Sequence, residues 1–183
     1  MMRIIAGSAK GRRIAAPAGK DTRPTLDRVK ESVFGVLQFR IAGKTVLDAF
    51  AGSGSMGLEA LSRGAEECVF VDSQEECAKQ IRENAQKLGF SDRSEIIRQD
   101  YEAAFNFFAS NGRKFDIIFL DPPYRSGCLR KAVQMIFEKG LLAEGGVAIA
   151  EHETGLENSL NDTLYEVYDT RKYGGTSVSF IRR

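Results

Sequence analysis

Short apolar runs and amphipathic stretches follow one another in regular order along most of the chain. The short runs are typical of buried strands, and the stretches between them have apolar residues three or four positions apart, as helices do. The predicted strands cover 45–50, 67–72, 94–98, 115–120 and 146–150, and the predicted helices cover 56–61, 75–88, 102–109 and 127–138. Strands that alternate with helices are joined by right-handed crossovers, so the pattern predicts an α/β fold with a doubly wound parallel sheet.

The two ends of the chain depart from this alternation. At the start, 3–7 and 11–15 predict a short hairpin, and a loop then leads to a helix over about 26–39. At the end, 164–170 and 177–181 are separated by a glycine turn, which predicts a hairpin and a last strand antiparallel to its neighbour. We therefore expect a hairpin-and-helix extension over 1–40 and a main domain over 41–183.

Composition narrows the class of protein. The chain has 183 residues, 43% of them apolar, which suffices for a core of normal size. No apolar run approaches membrane-spanning length, and the first residues lack the apolar segment of a signal peptide. The cysteines Cys68, Cys77 and Cys128 have no metal-like spacing, and His152 is the single histidine. We expect small buried thiols, a structural histidine, no metal, no membrane and a reducing cytoplasm.

Positive charge is concentrated at the start of the chain. Residues 1–30 carry a net charge of +6, whereas the remainder carries −5. A basic arm on a mildly acidic body is typical of a protein that contacts a polyanion from one end, although a solvated basic surface has the same pattern. Arg12 and Arg13 are candidate phosphate contacts within this arm.

A glycine-rich segment follows the strand at 45–50. Gly52-Ser53-Gly54-Ser55-Met56-Gly57 matches G-x-G-x-x-G between a strand and a helix, where backbone N–H groups can approach a ligand closely. Asp72 ends the next strand, twenty residues after Gly52, and is placed to bind a ribose diol. Gly52, Gly54 and Asp72 alone fit NAD as well as S-adenosylmethionine.

Two further carboxylates favour S-adenosylmethionine. Asp48 lies within the turn that leads to the glycines, where it would repel a pyrophosphate but attract the ammonium and sulfonium end of S-adenosylmethionine. Asp100 follows the strand at 94–98 and is placed for an adenine amino group, although an acid in this position is usually a helix cap.

The segment Asp121-Pro122-Pro123-Tyr124 follows the buried strand at 115–120. The Asp121 carboxylate and the Pro122 carbonyl can each accept one N–H of the exocyclic amine of a base. The prolines fix φ and remove competing donors, and Tyr124 can stack on the base. This segment therefore predicts a site for transfer to the amine of a base.

The chain resembles the RsmD-type small-subunit ribosomal RNA guanine-N2 methyltransferases over nearly its full length. The matching stretches are Arg3–Gly7, Thr22–Thr25, Arg28–Phe34, Val46–Gly54, Asp121–Tyr124 and Tyr173–Thr176. The resemblance implies a Rossmann-like class I methyltransferase fold with a seven-stranded sheet, S-adenosylmethionine as cofactor, and a guanine N2 amine of 16S ribosomal RNA as target. It also implies that Arg23-Pro24-Thr25 closes over the cofactor and admits RNA. In that arrangement Thr25 contributes to cofactor binding and caps the helix, and Arg23 and Arg28 face phosphate or the mouth of the active site.

Other functions fit parts of the same pattern. The tetrapeptide would serve an adenine N6 amine of DNA or RNA equally well, and the glycine segment also occurs in nicotinamide-dependent oxidoreductases. A non-enzymatic RNA-binding assembly factor is a further alternative, although it leaves Asp121 and Tyr124 without a role. We expect a monomer that acts on 16S ribosomal RNA within an assembling small ribosomal subunit.

Overall fold

The computed structural model describes residues 2–17, 24–123 and 127–183, with backbone only at 24–26 and 158. The strands are β1 Met2–Arg3, β2 Arg13–Ile14, β3 Thr45–Asp48, β4 Glu67–Asp72, β5 Ser94–Arg98, β6 Phe115–Leu120, β7 Leu142–Glu153, β8 Glu166–Tyr173 and β9 Thr176–Arg182. The helices are α1 Pro24–Leu37, α2 Ser55–Ser62, α3 Glu75–Leu88, α4 Tyr101–Ser110 and α5 Leu129–Glu138, with short 3₁₀ turns at Ser91–Arg93 and Glu157–Leu160.

Strands β3 to β9 form one sheet in the order β5-β4-β3-β6-β7-β9-β8, and β1 pairs with β2 in a separate antiparallel hairpin. The strands from β5 to β7 are parallel to one another, whereas β9 is antiparallel to both β7 and β8. The α/β class, the seven strands and the antiparallel last strand are therefore confirmed. The chain leaves β3 towards β4 and later returns to β6 on the other side of β3, so the topological switch point lies between β3 and β6.

Several element boundaries differ from the predicted ones, and three of the differences have a clear local reason. Strand β3 ends at Asp48 because the chain beyond it turns into the glycine-rich loop. Strand β7 begins at Leu142 rather than at 146, since Leu142 pairs with Phe115 across an irregularity that shifts the register. Helix α1 begins at Pro24, where the missing N–H of proline costs no helical hydrogen bond. Thr25 is therefore the second residue of the helix, and the prediction that it caps the helix is wrong.

The sheet separates two apolar cores. One core joins the β1–β2 hairpin and α1 to α2 and α3, and includes Ile4, Phe34, Phe70 and Ile81. The other packs α4 and α5 on the opposite face of the sheet. The hairpin and α1 therefore share a core with α2 and α3, the helices that follow β3 and β4.

No helix among the described residues is both long enough and apolar enough to cross a membrane.

Candidate active site

Three of the predicted carboxylates lie at the carboxyl ends of neighbouring strands. Asp48 ends β3, and its register partners are Phe70 on β4 and Phe119 on β6. Asp72 and Asp121 therefore lie two residues, or about 7 Å of strand, beyond the level of Asp48 on either side. This edge is where α/β sheets bind their ligands, because the loops on either side of the switch point open a crevice there.

The loop after β3 is hydrogen-bonded to the strands on both sides. Ala49 N–H donates to the Phe119 carbonyl of β6, and Ala51 N–H donates to the Val71 carbonyl of β4, each at 3.0 Å. Gly52 N–H then donates to Asp72 Oδ2 at 2.9 Å. The glycine-rich loop is thus held in place between the two strands that carry the flanking carboxylates.

Two glycines of the loop are required for different reasons. Gly54 precedes α2 with φ of 77°, which a side chain would strain. A Cβ on Gly57 would lie 2.3 Å from the Phe70 ring and 2.5 Å from Cys68 Sγ. Gly57 therefore lets α2 pack directly on β4, as the third glycine of this pattern does.

Asp48 is a buried carboxylate beside the start of α2. Its side chain is 4% exposed, and its Oδ2 accepts the Gly57 N–H at 3.0 Å. Burial raises the pKa of Asp48 to about 7, because the single backbone N–H offsets only part of the cost of desolvating the charge. A cation bound next to Asp48 would favour the ionised carboxylate.

Asp72 and Asp100 both bind backbone groups. Asp72 accepts Gly52 N–H on Oδ2 and Gln74 N–H on Oδ1, each at 2.9 Å. Asp100 caps α4 by accepting Glu102 N–H at 2.8 Å, which is the structural role that an acid in this position usually has. Each carboxylate oxygen has a second lone pair, so neither role prevents a ligand hydrogen bond.

Asp121 is exposed at the end of β6, and Pro122 is buried. A small cleft of about 20 Å³ adjoins Asp121. Its other lining residues come from α1, α2, β6, β7 and β9; they are Val33, Met56, Phe119, Leu120, Ile149, Glu151 and Val178. Glu151 is a second carboxylate in this cleft that the sequence pattern did not single out.

Helix α1 forms one wall of this cleft, and the β8–β9 hairpin near the carboxyl end of the chain contacts it. The Tyr173 hydroxyl donates to Ser32 Oγ on α1, and Arg171 Nη1 lies 3.5 Å from the same oxygen. The segment Tyr173–Thr176, which matched the RsmD-type enzymes, thus positions the helix beside Asp121.

A buried ionic cluster joins the amino-terminal hairpin to α1 and α2. Glu59 on α2 is fully buried and accepts the N–H groups of Ile5 at 2.7 Å and Ala6 at 3.0 Å. Arg63 Nε lies 2.8 Å and Lys30 Nζ 3.5 Å from its carboxylate. We call Lys30, Glu59 and Arg63 the buried ionic cluster; it fixes the hairpin against α2.

Lys30 also contacts the start of α2. Its Nζ donates to the Arg3 carbonyl at 2.6 Å and to Ser55 Oγ at 3.2 Å, and Ser55 directly follows Gly54 of the glycine-rich loop. Burial lowers the pKa of Lys30, and Glu59 opposes that effect. The side chain of Lys30 lies on the buried face of α1 between Val29 and Val33, so its position in the apolar stripe was the sequence signal for this role.

Asn84 makes a second connection between the hairpin and the loop. It is 2% exposed on α3, and its amide donates to the carbonyls of Ala15 at 2.9 Å and Ser53 at 3.1 Å. Its oxygen accepts Ala15 N–H at 3.0 Å. The amino-terminal extension is therefore linked to the glycine loop directly through Lys30 and by way of Asn84 on α3.

The candidate RNA-binding arginines lie in different settings. The Arg12 guanidinium donates to the Leu88 and Lys87 carbonyls at the end of α3, a favourable position for a cation. Arg13 and Arg28 are exposed. Arg23, Tyr124 and the side chain of Thr25 lie outside the described residues.

The remaining candidate groups have structural roles. His152 is buried, with Nε2 2.9 Å from Ser179 Oγ and Nδ1 2.9 Å from the Glu153 carbonyl, so both ring nitrogens are satisfied internally. None of the three cysteines forms a disulfide, and Cys68 and Cys77 are buried. Within the described ranges, no three His, Cys, Asp or Glu side chains form a group that could hold a metal ion.

Comparison with known proteins identifies the family. A model of the family described as Conserved hypothetical protein 95 matches residues 2–182. The chain belongs to this family. The resemblance to the RsmD-type enzymes is thereby confirmed, since relatives named ribosomal RNA small subunit methyltransferase D match most of the chain.

Several relatives of this chain are named as ribosomal RNA methyltransferases. YlbH of Bacillus subtilis (strain 168), named as an rRNA methyltransferase, is 41% identical over 100% of this chain and 99% of that protein. Ribosomal RNA small subunit methyltransferase D of Escherichia coli (strain K12) is 35% identical over 87% of this chain and 77% of that protein.

One solved structure, that of yhhF from Escherichia coli, is described as a methyltransferase. It matches this chain with a TM-score of 0.85 and 30% sequence identity. The match covers 100% of this chain and 97% of that one. The fold is thus that of class I S-adenosylmethionine-dependent methyltransferases.

Proposed function

We propose that the protein transfers a methyl group from S-adenosylmethionine to the exocyclic N2 amine of a guanine in 16S ribosomal RNA. The observation that carries this proposal is the position of Asp48, Asp72 and Asp121 at the ends of three adjacent strands around the glycine loop. Relatives named ribosomal RNA small subunit methyltransferase D support the choice of substrate.

Several residues fit the cofactor. Asp48 suits the cofactor's ammonium group, because a buried carboxylate with a pKa near 7 gains most from a neighbouring cation. In this proposal Asp72 binds the ribose hydroxyls, Asp100 the adenine amine, and Gly52 and Gly54 allow close backbone approach. Thr25 completes the cofactor side of the site.

The substrate side of the site orients the amine. When bound, S-adenosylmethionine supplies an electrophilic methyl group. Asp121 and the Pro122 carbonyl each accept one N–H of the guanine amine, which directs the nitrogen lone pair out of the ring plane and stabilises the positive charge that develops there. Tyr124 stacks on the base. The attacked amine readily loses its proton afterwards, so no base such as His152 is required.

The target guanine must leave its stack to reach Asp121. Enzymes that modify a base cannot reach it inside a stacked duplex, so they flip the base out or act on unpaired RNA. We propose that the basic residues Arg12, Arg13, Arg23 and Arg28 contact the surrounding phosphates. The substrate in this proposal is 16S ribosomal RNA within an assembling subunit in the cytoplasm, and the enzyme acts as a monomer.

Nucleoside mass spectrometry of small-subunit ribosomal RNA tests the substrate. RNA from a strain that lacks the gene is expected to lose one N2-methylguanosine, which expression of the wild-type protein restores. Unchanged N2-methylguanosine would contradict the guanine target, and a lost N6-methyladenosine would identify an adenine instead.

An Asp121→Ala variant tests the mechanism in a methyl-transfer assay with purified protein and small-subunit ribosomal RNA. We expect binding of S-adenosylhomocysteine to be kept and the turnover number to fall by at least about 100-fold, because one positioned acceptor of this type contributes about that much. Glu151→Gln is the matched control in the same cleft. Near-normal turnover by the Asp121 variant would refute the assigned role.

A further inference from the structure

A second concave surface lies apart from the cleft beside Asp121. A groove of about 750 Å³ lies at the opposite edge of the sheet, where β6 and β7 begin and β9 ends. Strand β6 has six residues, so the two edges are about 20 Å apart. A groove this far from the chemistry requires a different explanation from cofactor binding.

Basic side chains dominate the polar lining of this groove. Arg40, Lys114, Arg182 and Arg183 line it, with Glu144 as the acidic residue among them. Residues 31–183 carry a net charge of −5 even with these four cations included, so the groove is basic within an acidic part of the chain. We call these four basic residues the rear basic groove.

Backbone contacts fix two of the guanidinium groups. Arg40 Nη2 donates to the Gly145 carbonyl at 2.7 Å, and Arg183 Nη2 donates to the Phe137 carbonyl at 3.1 Å. Each guanidinium has five N–H groups, so most of its donors remain for a ligand while its orientation is restricted. A group held in this way loses less conformational entropy when it binds an anion.

The other two cations are accessible. Lys114 is exposed. Arg182 pairs with Glu166 at 2.9 Å, but both side chains are more than half exposed, and such a pair contributes little stability. Arg182 can therefore exchange Glu166 for a phosphate at small cost.

An exposed aromatic residue adjoins the groove in the chain. Phe39 directly precedes Arg40, and its side chain is 92% exposed. Packing gives no reason for an aromatic ring in this position, whereas basic groups interleaved with aromatic rings are typical of surfaces that bind RNA strands.

We propose that the rear basic groove binds the phosphate backbone of the substrate RNA, with Phe39 contacting a base of the same segment. This inference rests on the proposed function, since it concerns the same RNA. A ligand that occupies the groove and the active site together must follow the molecule over about 20 Å. The enzyme therefore grips folded RNA at two places on opposite edges of its sheet.

The test compares two double variants that remove the same charge. Lys114→Ala/Arg183→Ala alters the groove, and Lys79→Ala/Arg82→Ala removes two exposed cations from α3. The affinity of each for full-length 16S ribosomal RNA is measured by filter binding over a series of salt concentrations. S-adenosylhomocysteine binding and thermal unfolding check that each fold is intact.

The groove variant is expected to lower the slope of log affinity against log salt by about two, or about one for each lost phosphate contact. The α3 variant is expected to keep the wild-type slope. Phe39→Ser should weaken binding with an unchanged slope, because a stacking contact releases no counterions. Equal slopes for the groove and α3 variants would overturn the proposal.

Methylation of assembled particles separates the remaining outcomes. If the groove variant loses activity on particles while its affinity for 16S ribosomal RNA is unchanged, the groove contacts a ribosomal protein and the proposal fails. If no guanine is methylated by the wild-type protein but the groove variant still lowers the salt slope, the groove assignment stands and the proposed function fails.

Discussion

Of the three carboxylates at the ends of β3, β4 and β6, Asp48 is the one whose charge is disfavoured by burial. Asp48 is buried beside the Gly57 N–H, and burial raises its pKa to about 7. In the unfolded chain the pKa is near 3.8. The ionised carboxylate therefore opposes folding until a cation binds next to it, which is the behaviour expected of a residue retained for ligand binding rather than for stability.

An Asp48→Asn variant tests this trade between stability and binding. Because the folded protein holds the Asp48 proton up to about pH 7, the residue lowers the free energy of unfolding as pH rises from about 4 through 7, by up to about 4 kcal/mol. The asparagine does not ionise, and its oxygen can still accept from Gly57. Urea unfolding without cofactor should show the variant to be more stable than the wild type at pH 8, with the difference less than half as large at pH 5 and nearly absent at about pH 3.

Cofactor binding should change in the opposite direction. The affinity of the wild-type protein for S-adenosylhomocysteine is expected to rise as pH increases through 7, since only ionised Asp48 attracts the ammonium group. The asparagine variant should bind weakly, without this pH dependence. Identical calorimetric pH profiles for the two proteins would contradict the assignment of Asp48.

At the scale of elements, α1 is the piece that connects the basic amino-terminal region to the chemistry. It contributes Val33 to the cleft beside Asp121, and Tyr173 contacts it from the β8–β9 hairpin. Its Lys30 contacts both the β1 strand and the start of α2. A change in the position of α1 would therefore affect the glycine-rich loop and the cleft beside Asp121 together.

Breaking the buried ionic cluster tests this connection. Glu59→Gln leaves Lys30 buried without its carboxylate, so we expect a loss of about 3–5 kcal/mol in the free energy of unfolding and weaker S-adenosylhomocysteine binding. Glu75→Gln removes a pair with Arg98 that is more than half exposed and should cost at most about 1 kcal/mol.

A double-mutant cycle separates the pair from its surroundings. Lys30→Met combined with Glu59→Gln should cost less than the two single substitutions together, since each single change strands the charge of its partner. Additive effects in urea unfolding would show that the two residues act independently, and would exclude the cluster as a connection between α1 and α2.

The residue pattern anticipated the fold and the placement of three carboxylates at one edge of the sheet, for a specific reason. Runs of apolar residues locate strands such as 67–72 and 115–120. The parallel arrangement of these strands then places Asp48, Asp72 and Asp121 at one edge of the sheet. The pattern did not reveal Glu59 or Asn84, because their partners are backbone groups of a hairpin 53 or more residues away. Long-range polar contacts of this kind have no local periodicity.

At the scale of the whole molecule, the amino-terminal extension is part of the same apolar core as the parallel sheet. Ile4, Ile14 and Phe34 are at most 2% exposed and belong to one cluster with Val46 and Phe70. Gly7 supports this contact, since its φ is 82° and a Cβ there would meet the Ser62 carbonyl of α2 at 1.9 Å. The boundary near residue 40 therefore divides the sequence by composition, while the packing is continuous across it.

A fragment that begins at residue 41 should consequently not fold. The fragment lacks the hairpin and α1, so faces of α2 and α3 become exposed to solvent. In the full chain these faces pack against six large side chains of the extension that are fully or nearly fully buried. Burial of each such side chain contributes about 1.5–3 kcal/mol to the free energy of unfolding. That loss is comparable to the whole stability of a typical domain. We expect the fragment to bind no S-adenosylhomocysteine and to show no cooperative thermal transition. The full chain should unfold in one transition that the cofactor product shifts upward. A cooperative transition in the fragment that S-adenosylhomocysteine stabilises would show instead that 41–183 is an autonomous methyltransferase domain and that the extension serves RNA alone.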